Sequence, residues 1–282
     1  MLTSLVEGFR YQILALFLMA FFFSGCVLYM AHEVSGPSPP PRPEAPPPSG
    51  ALLKPELRIG ISPDYVPFAY KDPIFGLIGV EVDFANELGK ELGKNVVFVE
   101  TPFPQLIRAL LTEEIDIIMS GMSITKERLR LVSFTDPYLR IGQMALVRAK
   151  DRSMFPNVQS FAQVSSRVGY VETTTGEMAA RAFFPEATLT PEPSIEDGLA
   201  ALRKGEIVLF IHDAPTIWRV AGNPQEKELA GLYWPLTKEA LAWAVRKDDE
   251  PLRIALNDAL QKMELTGSLK QILSRWVILR IW

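Results

Sequence analysis

The sequence predicts an α/β fold in two lobes, each a mainly parallel sheet flanked by helices. Three observations lead there. From Leu57 onward short apolar strands alternate with amphipathic helices, the alternation runs through two separate series, and an extended segment follows each series as a crossing between lobes. The chain of 282 residues is 48% hydrophobic, enough for one or two domains with a large core.

The first series opens with the strand LRIGIS at 57–62. In EVDFANELGKELG, Phe84, Ala85, Leu88 and Leu92 fall on one helical face and leave the charges for the other, which predicts a surface helix. NVVFVET is the next strand, and PQLIRALLTEE the next helix, with Pro104 near its start, where a missing N–H costs nothing. IDIIMS reads as a fully buried strand.

The second series runs from strand RVGYV through helix GEMAARAFF to strand ATLTP. Helix SIEDGLAALRKG follows, with Ser194 as N-cap and Asp197 three residues on, and then strand EIVLFI. The crossings are IGQMALVRA and EALAWAVRK, and the chain finishes in helices PLRIALNDALQKME and SLKQILSRW. This order places lobe 1 at 52–143 plus 243–282 and lobe 2 at 144–242, joined at a hinge that the chain passes twice. Ligands of open α/β sheets sit beyond the carboxyl ends of strands, so such lobes would close on a ligand between them.

Ahead of the lobes, residues 1–33 carry the apolar run YQILALFLMAFFFSGCVLYMA, a membrane segment by length. Two readings stand: an uncleaved signal anchor, or a lipoprotein signal in which FSGC ends at Cys26 as the acylated residue, with Phe23 an imperfect match. Residues 34–51 contain GPSPPPRPEAPPPSG, which predicts an extended polyproline spacer rising about 3.1 Å per residue. The expected location is therefore outside the cytoplasmic membrane and tethered to it, or to the outer membrane if Cys26 is acylated. The tail WVILRIW adds apolar residues around Arg280 and suits packing on the first lobe or contact with a partner.

Composition narrows the chemistry. A net charge of -4 without a basic stripe argues against nucleic acid. Cys26 is the single cysteine, so the lobes have neither a disulfide nor a cysteine metal site. The two histidines are His32 and His212, and H-E-x-x-H, G-x-S-x-G and P-loop motifs are absent. We therefore expect no metal and no cofactor, and read His212 as a strand-end structural residue.

One position breaks a local rule. In MSGMSITKERLR, Thr125 is the N-cap and Arg128 the third helical residue, where a capping box asks for Glu or Gln and the positive helix start disfavours a cation. With Ser120, Gly121 and Ser123 in the preceding turn, hydroxyls, backbone N–H groups and a guanidinium converge, the donor set a carboxylate or phosphate requires. The alternative is an ordinary surface arginine paired with Glu127, Asp136 or a solvent counter-ion.

The strings GISPDYVPFAY, GVEVDFANEL, IDIIMSGMSITKERLRLVSFTDPY, VGYVETTTGE and LRKGEIVLFIHDAP, in this order, resemble the family 3 extracellular solute-binding proteins of amino-acid ABC transporters across residues 55 to 277. The resemblance implies the type II periplasmic-binding-protein fold, an amino-acid ligand, a permease partner and a monomer. It implies that Arg128 clamps the ligand's α-carboxylate with Ser123 and the backbone of Gly121, and that Thr174 or Thr175 reaches the same group from the second lobe. Thr173 stands where relatives often have glycine.

Asp213 matches the acid that accepts the α-ammonium group; by itself it reads as an N-cap. Tyr65 and Phe103 match the walls around the ligand side chain, whereas Phe68 is read as core. Ser62 stands where relatives preferring basic or amide side chains carry aspartate, which favours a polar or neutral cargo, and Glu172 is a candidate to restore a carboxylate. Cyclohexadienyl dehydratase shares the fold and the clamp, so an enzyme is the alternative, with Glu239 or Glu177 as general acid. A ligand sensor on the same tether is a third reading; a non-enzymatic binder is the expectation.

Overall fold

The structure, a computed structural model, describes residues 50–277. The membrane segment with Cys26, nearly all of the proline-rich spacer, and tail residues 278–282 lie outside the described residues.

The first series forms β1 (Glu56–Ile61), β2 (Asp64–Tyr65), β3 (Ala69–Asp72), β4 (Gly76–Ile78), α1 (Val80–Leu92), β5 (Asn95–Glu100), α2 (Leu106–Leu111), β6 (Ile117–Ile118), α3 (Lys126–Leu129) and β7 (Ser133–Phe134). The crossing that follows is β8 (Leu139–Ile141) leading into β9 (Gln143–Arg148). The second series is β10 (Arg167–Val171), α4 (Thr175–Phe183), β11 (Thr188–Glu192), α5 (Ile195–Lys204), β12 (Leu209–Asp213), α6 (Ala214–Ala221) and β13 (Leu229–Leu232). The return crossing is β14 (Glu239–Leu241) and β15 (Ala244–Val245), and α7 (Glu250–Thr266) and α8 (Ser268–Trp276) complete the described chain.

These strands make two five-stranded sheets, β5-β1-β6-β15-β7 and β11-β10-β12-β9-β13. In the first, β1 runs parallel to β5 and β6 while β15 is antiparallel to β6 and β7. The second repeats the plan: β10 is parallel to β11 and β12, and β9 is antiparallel to β12 and β13. Each sheet thus has a parallel half built by crossover helices and an antiparallel half built by the crossings. Between the sheets β8 and β14 pair antiparallel, Leu139 opposite Leu241, as a two-stranded ribbon.

Local chemistry explains the helix ends. The hydroxyls of Thr125 and Ser194 accept the N–H groups of Arg128 at 3.2 Å and Asp197 at 3.1 Å, as side-chain caps do. Gly93 and Gly205 end α1 and α5 in the left-handed region that glycine reaches without strain. The expected helix from Pro104 is shorter at both ends, because Phe103–Gln105 form a 3-10 turn before α2 starts. The small sheet β2-β3-β4 has no counterpart in the sequence reading.

Buried ionic and polar pairs fix the first sheet. Asp116 accepts from Arg58 Nε at 2.9 Å, Nη2 at 2.7 Å and backbone N–H at 3.0 Å, tying the start of β1 to the segment entering β6. Glu81 departs from the expectation that the charges of α1 face solvent, for it is fully buried. Its carboxylate accepts from the Tyr138 hydroxyl at 2.6 Å, the Gly121 N–H at 2.7 Å and the Trp243 indole at 3.1 Å. Tyr138 lies just before β8 and Trp243 just after β14, so one carboxylate holds both legs of the hinge and the turn that leads to Arg128. Burial pushes its pKa up to about 7 against the lowering effect of those three donors.

Candidate functional site

A cleft opens where the carboxyl ends of β1, β6, β10 and β12 face the ribbon, and Tyr65, Phe103, Gly121, Ser123, Arg128, Thr174, Thr175 and Asp213 all line it. Asp64, Gln143, Val171, Ser194, Ile195 and His212 complete its wall.

The first lobe supplies the cation. Capping by Thr125 starts α3 so that the Arg128 side chain turns back over the Phe103 ring, its guanidinium carbon 5.3 Å from the centroid. Nη1 donates to the Ser123 carbonyl at 2.8 Å and Nη2 to the Thr173 carbonyl of the other lobe at 3.2 Å. Neutral carbonyls hold this arginine, and neither Glu127 nor Asp136 forms an ion pair with it. Burial lowers its pKa, opposed by the charges of Asp213, Glu239 and Glu127. Such a cation is disposed to accept an anion.

Around it the neutral donors are engaged. The Gly121 N–H points to Glu81, and the Ser123 hydroxyl donates to Glu239 Oε2 at 2.6 Å. Gly121 has φ +62, and an added Cβ would stand 2.7 Å from the Tyr65 ring, so glycine lets the ring close over the turn.

The second lobe faces this with the turn Thr173–Thr175. Thr173 adopts φ +61, a costly conformation for a β-branched residue, with its N–H donating to Glu177 Oε2 at 3.0 Å. The Thr174 hydroxyl donates to the Val171 carbonyl at 2.6 Å, and that of Thr175 accepts from Gln143 Nε2 at 3.0 Å.

Asp213 occupies the N-cap position of α6 without capping it. Its carboxylate instead enters the cleft and accepts from the Tyr65 hydroxyl and Gln143 Nε2. Burial, then the charge of Glu239, push its pKa up to about 7, opposed by those two hydrogen bonds and by Arg128. The Tyr65 phenol is raised well above its ordinary value, by burial first and by Asp213 next.

Gln143 and His212 escaped the sequence reading as cleft residues. Gln143 is 1% exposed, and its Oε1 has no hydrogen-bond partner. Its direction is set by the register of β9, in which Gln143 stands opposite Asp213 on β12, and nothing local in IGQMAL encodes that pairing. His212 Nδ1 accepts the Asp213 N–H at 2.8 Å, and burial pushes its pKa down to about 3, so the ring is a neutral donor at Nε2.

The selectivity candidates fall elsewhere. Ser62 is buried behind the wall, and its hydroxyl donates to Asp64 Oδ1 at 2.8 Å, which makes Asp64 the acid that lines the cleft near Tyr65. Glu172 is exposed and does not line the cleft, as a strand-end glutamate does when solvated. Glu177 pairs with Arg181 at 2.9 Å, and Glu239 sits behind Ser123, accepting also from Thr237 at 2.5 Å; neither carboxylate lines the cleft.

With this geometry in view, comparison with known proteins is specific. The chain matches the bacterial extracellular solute-binding proteins, family 3, over residues 57–278. The histidine-binding periplasmic protein of Escherichia coli (strain K12) is 30% identical over 238 residues, covering 80% of this chain and 89% of that protein. A binding component of an ABC transporter from Wolinella succinogenes DSM 1740, solved in complex with lysine, superimposes with a TM-score of 0.77 and 31% identity, covering 82% of this chain and 99% of that one. The cyclohexadienyl dehydratase of Pseudomonas aeruginosa is 28% identical over 223 residues, covering 78% of this chain and 82% of the enzyme.

Proposed function

This chain belongs to the bacterial extracellular solute-binding proteins of family 3, and from that premise we propose that it captures an amino acid between its two lobes and hands it to the permease of an ABC transporter. The carrying observation is that one cleft is lined by a half-buried cation from the first lobe, Arg128, and a buried acid from the second, Asp213. An α-carboxylate and an α-ammonium on one carbon complement that pair. The carboxylate displaces the carbonyl contacts of Arg128 and gains the donors of the threonine turn, while the ammonium takes the place of Tyr65 or Gln143 at Asp213. Because each charge comes from a different lobe, ligand binding favours the closed arrangement.

The ligand side chain extends toward Tyr65, Phe103 and Asp64. Asp64, oriented by Ser62, favours a polar side chain bearing N–H or O–H donors, since a purely apolar one would desolvate the carboxylate without a partner. The membrane segment 1–33 and the spacer 34–51 tether the lobes near the permease, and the protein works as a monomer.

Thermal-shift measurements of the full chain against the twenty amino acids test this reading, because a ligand that binds only the native state raises the midpoint. A shift with polar amino acids supports it; no shift with any amino acid overturns it. A dehydratase would require a general acid in the cleft beside its substrate. Glu177 is engaged by Arg181 and Glu239 accepts from two hydroxyls behind Ser123, which leaves Asp64 and Asp213 as the acids of the cleft; Asp213, set across from Arg128, suits an α-ammonium group, and on that pairing we favour binding over elimination. Product formation from prephenate or arogenate would reverse that preference.

A further inference from the structure

A second cavity, of about 200 Å³, lies where α6 meets the end of α8, and it shares no lining residue with the cleft of Arg128. Pro67 and Trp276 wall it from the first lobe, and Pro215, Trp218 and Arg219 from the second. Three N–H donors on these walls, Trp218 Nε1 and Arg219 Nε and Nη2, are buried and have no hydrogen-bond partner. Buried donors without acceptors are rare, because each costs its desolvation without return.

Other arginines of this chain reveal what the Nε–Nη2 edge is for. Arg58 sets it on Asp116 at 2.9 and 2.7 Å, Arg181 on Glu177 at 3.1 and 2.9 Å, and Arg253 on Glu250 at 2.8 and 2.5 Å. In all three a single carboxylate fills the edge. Among the described residues, the acid nearest Arg219 is Glu196, whose Oε1 is 4.0 Å from Nη2, beyond hydrogen-bond reach, on a side chain that is 75% exposed.

Of the remaining wall, the two prolines, Trp276 and Val277 are apolar, and Gly222 and Asn223 line its exposed edge. The Trp276 indole N–H is spent on Asp83 at 2.7 Å, and the ring packs against Tyr70, so the cavity meets an aromatic surface. We infer that this cavity is a second binding site, for a carboxylate carried on a small aromatic or apolar body, with Arg219 and the Trp218 N–H as its donors and Trp276 and the two prolines as its walls. Since the walls come from both lobes, an occupant also favours their approach, and by reciprocity the two sites strengthen one another. That coupling rests on the amino-acid reading above; the binding does not.

Titration of the full chain with benzoate, and with benzamide as its uncharged counterpart, followed by calorimetry and tryptophan fluorescence, tests the site. Expected is saturable one-to-one binding of benzoate, with benzamide weaker by about tenfold or more. Arg219→Gln should weaken benzoate by a similar factor and leave benzamide unaffected, and Arg219→Lys, which keeps the charge without the planar edge, should fall between. Trp218→Phe should weaken benzoate several-fold, whereas in Arg128→Ala saturable one-to-one binding should persist. Benzoate binding that survives Arg219→Gln, that vanishes with Arg128→Ala, or that never saturates overturns the inference; in the last case a buried water serves the donors.

Discussion

The Tyr65 hydroxyl, carried by the first lobe, donates to the carboxylate of Asp213, carried by the second. This bond joins the lobes at the point where an α-ammonium group would bind, so ligand and tyrosine compete for one acceptor. Asp213 must also be ionised to receive the ammonium, and its pKa lies at about 7. Amino-acid affinity should therefore rise with pH up to about 7 and level above it, approaching tenfold per unit on the acid side. Calorimetry at pH 6 in buffers of different ionisation enthalpy should detect proton release on binding; a flat profile between pH 5 and 8 would contradict the role given to Asp213.

Arg128→Ala should weaken amino-acid binding by a hundredfold or more, because removing one partner of a partly desolvated charge pair costs about 3 kcal/mol or more. Unchanged affinity by calorimetry would remove Arg128 from the clamp.

Glu81 gives a stability prediction. Its pKa rises from 4.5 in the unfolded chain to about 7 in the fold, so the native state holds a proton that the unfolded state has lost between these values. Stability should fall as pH climbs through that window, with Asp213 acting in the same direction. Glu81→Gln should reduce this pH dependence. It should also cost about 1–3 kcal/mol at pH 8, since a carboxamide cannot accept from Tyr138, Gly121 and Trp243 together. Urea denaturation of both forms at pH 5 and pH 8 measures both effects.

Thr173→Gly should stabilise the fold by about 1 kcal/mol, the left-handed penalty of threonine exceeding the added freedom of the unfolded glycine. For a chain of this size the melting midpoint rises by roughly 2–4 °C. A lower midpoint would mean that the threonine methyl or hydroxyl contributes more than its backbone costs.

Arg128 was legible because it violates a rule that acts within one helical turn. Thr125 and Ser194 were legible for the same reason, each capping a donor three residues on. The two series of strands and helices followed from apolar periodicity. Gln143 was not legible, since only the pairing of β9 with β12, distant in sequence, turns it toward Asp213. Ser62 was read from the resemblance, as standing where relatives carry aspartate; Asp64, two residues later on the short strand β2, was not legible as a cleft acid because two residues carry no periodicity. Glu81 was taken for a solvated charge because its three donors come from segments 40, 57 and 162 residues away.

The place of β15 between β6 and β7 also orders events during synthesis. Every strand of the second sheet falls between Gln143 and Leu232, so that sheet can pair as soon as this stretch is made. The first sheet has a gap between β6 and β7 until Ala244 and Val245 arrive to pair with Ile118, Phe134 and Ser133. A nascent chain therefore carries its amino-terminal half unfinished past the completion of the middle, with Ile118 and Phe134 edges open to other strands. Truncation before residue 244 should leave a folded second lobe attached to an aggregation-prone first one.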